Sequence, residues 1–236
     1  MKDSLKTILF ATVLGVVCAG LLTAASYALK PYQEANERAE KWRNIFMVLN
    51  VPADAIGCEL EDANAQRLLR LVRSKDNPSG KVARHEIPGA QDGNMTFYTY
   101  DHPDDGTIYA FEFSGMGLWG HVEGLLSLQG DLETVYSISF YKQEETPGLG
   151  GEIGERPFRE GFRGKTIAGA GEPGIRIRKP DQAVENNEVD GISAATLTCD
   201  KVEAMINEVS KRIIENRDAV LAATAAGGPE TREAGL

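Results

Sequence analysis

The run Asp190-Gly191-Ile192-Ser193-Ala194-Ala195-Thr196-Leu197-Thr198 holds one carboxylate and three hydroxyls within nine residues, set around a turn of small side chains. Apolar residues follow at Val202, Met205, Ile206, Val209 and Ile213, the spacing of one face of an amphipathic helix. Thr196 is therefore placed at or near a helix N-terminus. Free backbone N–H groups and the positive end of the helix dipole favour an anion there, and a phosphate group suits such a site. The same residues admit a simpler reading, in which Asp190, Ser193 or Thr196 only caps the helix.

Two glycine-bearing segments lie upstream. Gly115-Met116-Gly117-Leu118-Trp119-Gly120 and Glu145-Thr146-Pro147-Gly148-Leu149-Gly150-Gly151 both interrupt strand-like sequence. Glycines let backbone approach a planar ligand closely, and fixed N–H groups can then bond its polar edge. Equally, such glycines simply make turns. Glu145 and Thr146 are candidates for contacts to a ligand and Trp119 for shielding a ring edge. Against these stand a loop-stabilising carboxylate, a turn hydroxyl and a core indole. Arg156, Arg163, Lys165, Arg176, Arg178 and Lys179 make a locally basic region that either balances a phosphate or forms a solvated face.

The elements that position these segments are legible in outline. Residues 7–28 carry no charge, and 22 residues at about 1.5 Å each span roughly 33 Å, enough to cross a bilayer core. The alternative is a cleaved signal peptide ending near Ser26-Tyr27-Ala28, whose apolar region would normally be only about 7 to 15 residues. Flanking positive charges do not decide orientation, since Lys2 and Lys6 precede the span while Lys30, Arg38, Lys41 and Arg43 follow it. The short segment before it and the large acidic domain after it favour a cytoplasmic N-terminus and an exported domain. Trp42, Ile45, Phe46 and Leu49 predict a second, amphipathic helix over residues 36–50.

From residue 57 to 92 the chain is polar and broken by Pro78, Gly80, Pro88 and Gly89, with one short strand expected over residues 68–72. Strand composition then strengthens over residues 95–100, 107–113, 124–129 and 134–141, the last two flanking a Gly130-Asp131 hairpin turn. These elements predict an α+β domain with a largely antiparallel sheet. The organisation expected is an anchor over 1–30, one domain over 31–217 and a flexible tail over 218–236, where Ala, Gly and Glu dominate and Pro229 interrupts. A net charge of −10 without a basic stripe argues against nucleic acid as a partner. Cys18, Cys58 and Cys199 include no Cys-x-x-Cys pair, leaving either a Cys58 to Cys199 disulfide or unpaired thiols. His85, His102 and His121 are scattered, and neither metal-ligand spacing nor a Ser/His/Asp set stands out.

Taken whole, the run from Asp190 to Thr196 resembles the flavinylation motif of the FMN-binding domain family, Asp-Gly-x-Ser/Thr-Gly-Ala-Thr, whose last threonine carries FMN through a phosphoester. The resemblance implies covalent FMN on Thr196, with Asp190, Gly191, Ser193, Ala195, Leu197 and Thr198 around it and Thr198 as the competing hydroxyl. Ala194 stands where most members have Gly, a position that would be strained if it requires φ > 0.

The two glycine segments are similar to the Gly-Leu-Trp and Glu-Thr-Pro-Gly-Leu-Gly signatures of the C-subunit family of sodium-translocating NADH:quinone reductases. This similarity adds Gly117, Leu118, Trp119, Glu145, Thr146, Gly148, Leu149 and Gly150 to the implied cofactor site. Leu29-Lys30-Pro31, Arg43-Asn44-Ile45 and Val189-Asp190-Gly191 extend it over most of the chain. The G subunit of Rnf complexes shares the domain, but Gln143 and Gly151 stand where that family tends to have His and Asp. The resemblance implies an electron-carrying subunit without a self-contained active site, which holds no metal and is held in the bacterial inner membrane with its soluble domain outside. Its partners would be other membrane subunits, the lipid bilayer and a flavin transferase. A membrane-tethered, non-redox assembly module is the alternative of a different class.

Overall fold

One helix, α1 (Lys2–Val48), carries the chain from the apolar span into the folded domain. The structure, a computed structural model, describes residues 2–56, 60, 68, 82–90, 93–167 and 174–226. Among these, α1 is the one helix long and apolar enough to cross a membrane. The sequence predicts an anchor and then a separate helix, yet Pro31 lies inside a continuous one. Its ring removes the N–H that would bond the Tyr27 carbonyl. The residues around it are exposed, so the surroundings can satisfy that carbonyl and the helix continues. Residues 6–34 are exposed, whereas Ala39, Ile45, Phe46, Val48 and Leu49 are buried against the domain. A short helix α2 (Ala53–Ile56) follows.

Five strands, β1 (Val82–Ala90), β2 (Gly93–His102), β3 (Gly106–Met116), β4 (His121–Leu128) and β5 (Val135–Lys142), form a fully antiparallel sheet in sequence order. The central strands read as nearly unbroken apolar runs because both faces of the sheet are covered. Phe97, Phe111, Leu126 and Ile138 pack on one face, with the side chains of α4 (Thr196–Glu215). On the other face Tyr98, Tyr100, Ala110, Leu125 and Tyr136 meet Ile45, Phe46 and Leu49 of α1. Stacking of Phe97 on Phe111 at 5.3 Å and edge contact of Phe113 with Phe140 at 5.6 Å tie the first face together.

The α+β fold with its antiparallel sheet is as the sequence predicts, and the turn after β4 is the expected hairpin. Asp131 closes it by accepting from the N–H groups of Glu133 and Thr134, each at 2.9 Å. Besides the continuous α1, three features differ from the sequence reading. β1 occupies the stretch read as irregular; it is an edge strand, which tolerates Pro88, and its register shifts between Ile87 and Ala90. The chain also forms a helix α3 (Arg156–Glu160) and a parallel pair, β6 (Arg176–Arg178) with β7 (Glu188–Asp190). Residues expected to begin a flexible tail form α5 (Arg217–Ala225), where Val220 is fully buried and Arg217 pairs with Glu133 at 2.5 Å. Alanine and leucine favour helix, and that anchoring supplies what propensity alone does not. The strand expected over residues 68–72 lies outside the described residues except for buried Leu68, and Cys58 lies outside them too.

Helix α1 runs antiparallel to β5. Lys41 lies over Tyr141, Asn44 bonds Ser139, and Asn50 donates to Tyr136 at 2.9 Å. The C-terminal end of β5 and the β3–β4 turn therefore fall at the end of the domain nearest the apolar span.

Candidate functional site

At that end three segments converge on one carboxylate. Glu145, 4% exposed, leaves β5 three residues after its end. Its Oε1 accepts from the backbone N–H groups of Leu118 at 2.8 Å and Trp119 at 3.0 Å, and its Oε2 from the Thr198 hydroxyl at 2.7 Å. One side chain thus clamps the β3–β4 turn and the first turn of α4 to its own loop. Burial pushes the Glu145 carboxyl up, but the donors from Trp119, Thr198, Leu118 and Gly120 together outweigh burial and hold it below the ordinary carboxylate value.

The glycines around it follow from this crowding. A Cβ on Gly117 would collide with Glu145 Oε1, and one on Gly150 would sit 2.5 Å from the Thr198 hydroxyl and 2.7 Å from Glu145 Oε2. Gly148 has φ +74°, the left-handed conformation of the turn between Thr146 and Gly151, whose N–H donates to the Thr146 carbonyl at 2.9 Å. These glycines make room for the carboxylate. The Leu118 and Trp119 N–H groups already serve Glu145, so they are not open to a ligand as the sequence suggested.

Helix α4 starts at Thr196 with no side-chain cap. Its ladder opens with Cys199 N–H donating to the Ala195 carbonyl at 3.0 Å, which leaves the N–H groups of Thr196, Leu197 and Thr198 at the open helix end. The capping reading therefore fails here. Asp190 instead accepts from Gln182 and Ala183 N–H at 2.9 and 3.0 Å, folding the β6–β7 connection. Gly191 lets its strand close on the Arg178 carbonyl, where a Cβ would come within 2.5 Å. The two threonines separate cleanly: Thr198 is 1% exposed and bonded to Glu145, whereas Thr196 is exposed. Buried Cys199 accepts from Ile192 N–H at 3.4 Å, and burial raises its thiol.

Between these segments lies an open cavity of about 250 Å³, lined by Leu118, Trp119, Glu145, Thr146, Leu149, Gly150 and the run from Ala194 to Thr198. Its rim is apolar and exposed, with Trp119 at 70% and Leu197 at 60%. The structure thus gathers ten of the residues singled out from sequence. Asp190, Gly191, Gly117 and Gly148 shape the loops behind the wall, and exposed Ser193 is not on it. None of the basic residues from Arg156 to Lys179 lines the cavity. Arg156 pairs with Glu160, Arg163 lies over Tyr136, and Arg178 pairs with Glu188.

Ala194, on the cavity wall, has φ +59°. A left-handed alanine costs roughly 1–2 kcal/mol, partly offset by the chain freedom that glycine would add to the unfolded state. Ala194→Gly is therefore expected to stabilise the domain by about 0.5–1 kcal/mol, read as a raised thermal midpoint; an unchanged or lowered midpoint would contradict the strain.

A second cavity of about 480 Å³ opens between the sheet end and α4. Two of its carboxylates already have partners: Glu112 binds Lys41 and Tyr98, and Glu123 binds Lys142 and Tyr141. Of these two cavities, the smaller combines an exposed hydroxyl, an uncapped helix start and apolar walls. Those features fit a flavin mononucleotide, with phosphate at the helix end and ring against the rim.

Residues 117–211, which include all the residues lining the smaller cavity, match the FMN-binding domain family. The C subunit of the Na(+)-translocating NADH-quinone reductase from Yersinia pestis is 30% identical over 87% of this chain and 88% of that protein. Its Pseudomonas aeruginosa counterpart is 28% identical over 87% of this chain and 91% of its own. The chain belongs to this C-subunit family. The crystal structure of the same subunit from Parabacteroides distasonis shares the fold, with a TM-score of 0.62 at 24% identity over 79% of this chain and 96% of that one.

Proposed function

We propose that this chain carries FMN esterified through its phosphate to Thr196 and works as an electron-transfer subunit of a sodium-translocating NADH:quinone oxidoreductase. The observation that carries the reading is the contrast between two neighbouring hydroxyls. Thr196 is exposed at an uncapped helix start on the cavity rim, and Thr198 is buried against Glu145. The flavin, when bound, supplies the redox chemistry, accepting electrons from one centre and releasing them to another. The chain's part is to hold and orient it. The helix end receives the phosphate, Trp119, Leu118, Leu149 and Leu197 flank the ring, and Glu145 fixes the loops that carry them.

The apolar part of α1 serves as a single-pass anchor in the inner membrane, with the domain on the outer side. That topology brings the cavity to the end of the domain nearest the bilayer, since β5 descends as α1 rises. Partners are the other membrane subunits, the surrounding lipid and a flavin transferase that installs FMN after export. C-subunit relatives at 28–30% identity favour this complex over an Rnf-type one.

Intact mass after denaturation tests the reading. Protein matured in a host with the transferase and export machinery should weigh about 438 Da more than the chain, the mass of FMN less water. An unmodified mass under those conditions would overturn it and leave a tethered assembly module.

A further inference from the structure

Glu145 carries a charge that its clamping role does not require. A neutral amide could accept the Leu118 and Trp119 N–H bonds through one oxygen and offer its NH2 to the Thr198 hydroxyl. The chain instead places a carboxylate in the wall of the cavity, 4% exposed, with no Lys or Arg paired to it among the described residues. None of the basic residues of the neighbouring segment lines the cavity, and Arg156, Arg163 and Arg178 are taken up by Glu160, Tyr136 and Glu188. A buried anion without a counter-cation is costly to maintain, yet neutral donors outweigh that cost here and hold the carboxyl ionised, so its charge is a fixed feature of the cavity wall.

We propose that Glu145 is a positioning residue whose negative charge, held against the flavin cavity by Leu118, Trp119 and Thr198, makes the bound flavin harder to reduce. The proposal rests on the flavin reading above. When the ring takes two electrons from a reductant and one proton from solvent, it gains one negative charge. A cavity of about 250 Å³ keeps anything inside it within roughly 10 Å of its wall. At that separation a fixed charge in a partly screened protein site changes an ionic equilibrium by about tenfold. The electrostatic part is separable from the structural part, because Gln keeps one oxygen for the Leu118 and Trp119 N–H groups, offers its NH2 to the Thr198 hydroxyl and removes the charge.

The experiment is an equilibrium reduction of the purified, flavin-bearing full-length protein in detergent against a redox dye, followed by flavin absorbance. In Glu145→Gln the ratio of reduced to oxidised flavin at a fixed dye potential should rise about tenfold over the parent. Thr198→Val, which removes a donor and leaves the charge less offset, should lower that ratio by about two- to threefold. A folded, flavin-bearing Glu145→Gln protein with an unchanged ratio overturns the proposal. If Glu145→Gln takes up no flavin, Thr198→Val decides alone: a lowered ratio supports the charge effect, and an unchanged or raised ratio overturns it. Failure of the flavin reading is a separate observation, a parent protein that shows no added mass.

Discussion

Thr196→Ala is expected to remove the flavin completely while leaving the thermal midpoint of the protein within a degree or two of the same chain expressed without flavin. The hydroxyl is exposed at the first position of α4 and makes no cap, so its loss breaks no bond of the fold. Alanine is also a good helix former at such a position. Thr198→Val is the converse case. It leaves Glu145 Oε2 without its donor inside a buried site and should cost about 1–3 kcal/mol, yet the added mass of the flavin should persist. Intact mass and thermal unfolding, measured on both variants, give opposite patterns under the proposed assignment. Retention of flavin in Thr196→Ala, with attachment moved to Thr198 or Ser193, would show that the transferase does not choose by exposure at the helix end.

This separation also marks where sequence reading stops. The two threonines are two residues apart in one motif, and no periodicity ranks them decisively; their exposure is decided by a carboxylate 53 residues away in sequence. The four strands rich in aromatic and β-branched residues were legible because a sheet covered on both faces concentrates such residues. β1 was not, because an edge strand tolerates the Pro88 and polar neighbours that ordinarily mark a loop. α5 was hidden by its alanine-rich composition, since what orders it is long-range: burial of Val220 and the Arg217 pair with Glu133. The anchor and the following helix, two elements in the sequence reading, are one, because an exposed stretch of helix can lose the hydrogen bond that Pro31 removes without ending. The motif at residues 190–198 was legible as a unit, but its division of labour was not. Asp190 and Gly191 build the β6–β7 connection, and Thr196 alone among its hydroxyls is both exposed and on the cavity wall.

Glu145→Ala should have the largest effect on stability of any change at the site. Truncation leaves the N–H groups of Leu118 and Trp119 and the hydroxyl of Thr198 without an acceptor, in a place where Gly117 and Gly150 have been kept small to let the carboxylate in. Each buried donor left unmet costs about 1–3 kcal/mol. The cavity is open, so water will reach some of them. A net loss of about 3–5 kcal/mol follows, a large share of the roughly 5–15 kcal/mol by which domains are stable. At about 2–4 °C per kcal/mol for a domain of this size, the thermal midpoint should fall by about 10 °C. The flavin should be lost in parallel, because the loops that flank the ring and the helix start that offers Thr196 are no longer held together. Glu145→Gln separates this structural role from the electrostatic one, since its oxygen still accepts from the Leu118 and Trp119 N–H groups, its NH2 can donate to the Thr198 hydroxyl, and it should lose less than about 1 kcal/mol. A drop below about 1 kcal/mol in Glu145→Ala would mean that the three segments are held by their own packing, and that the carboxylate at their junction is there for its charge alone.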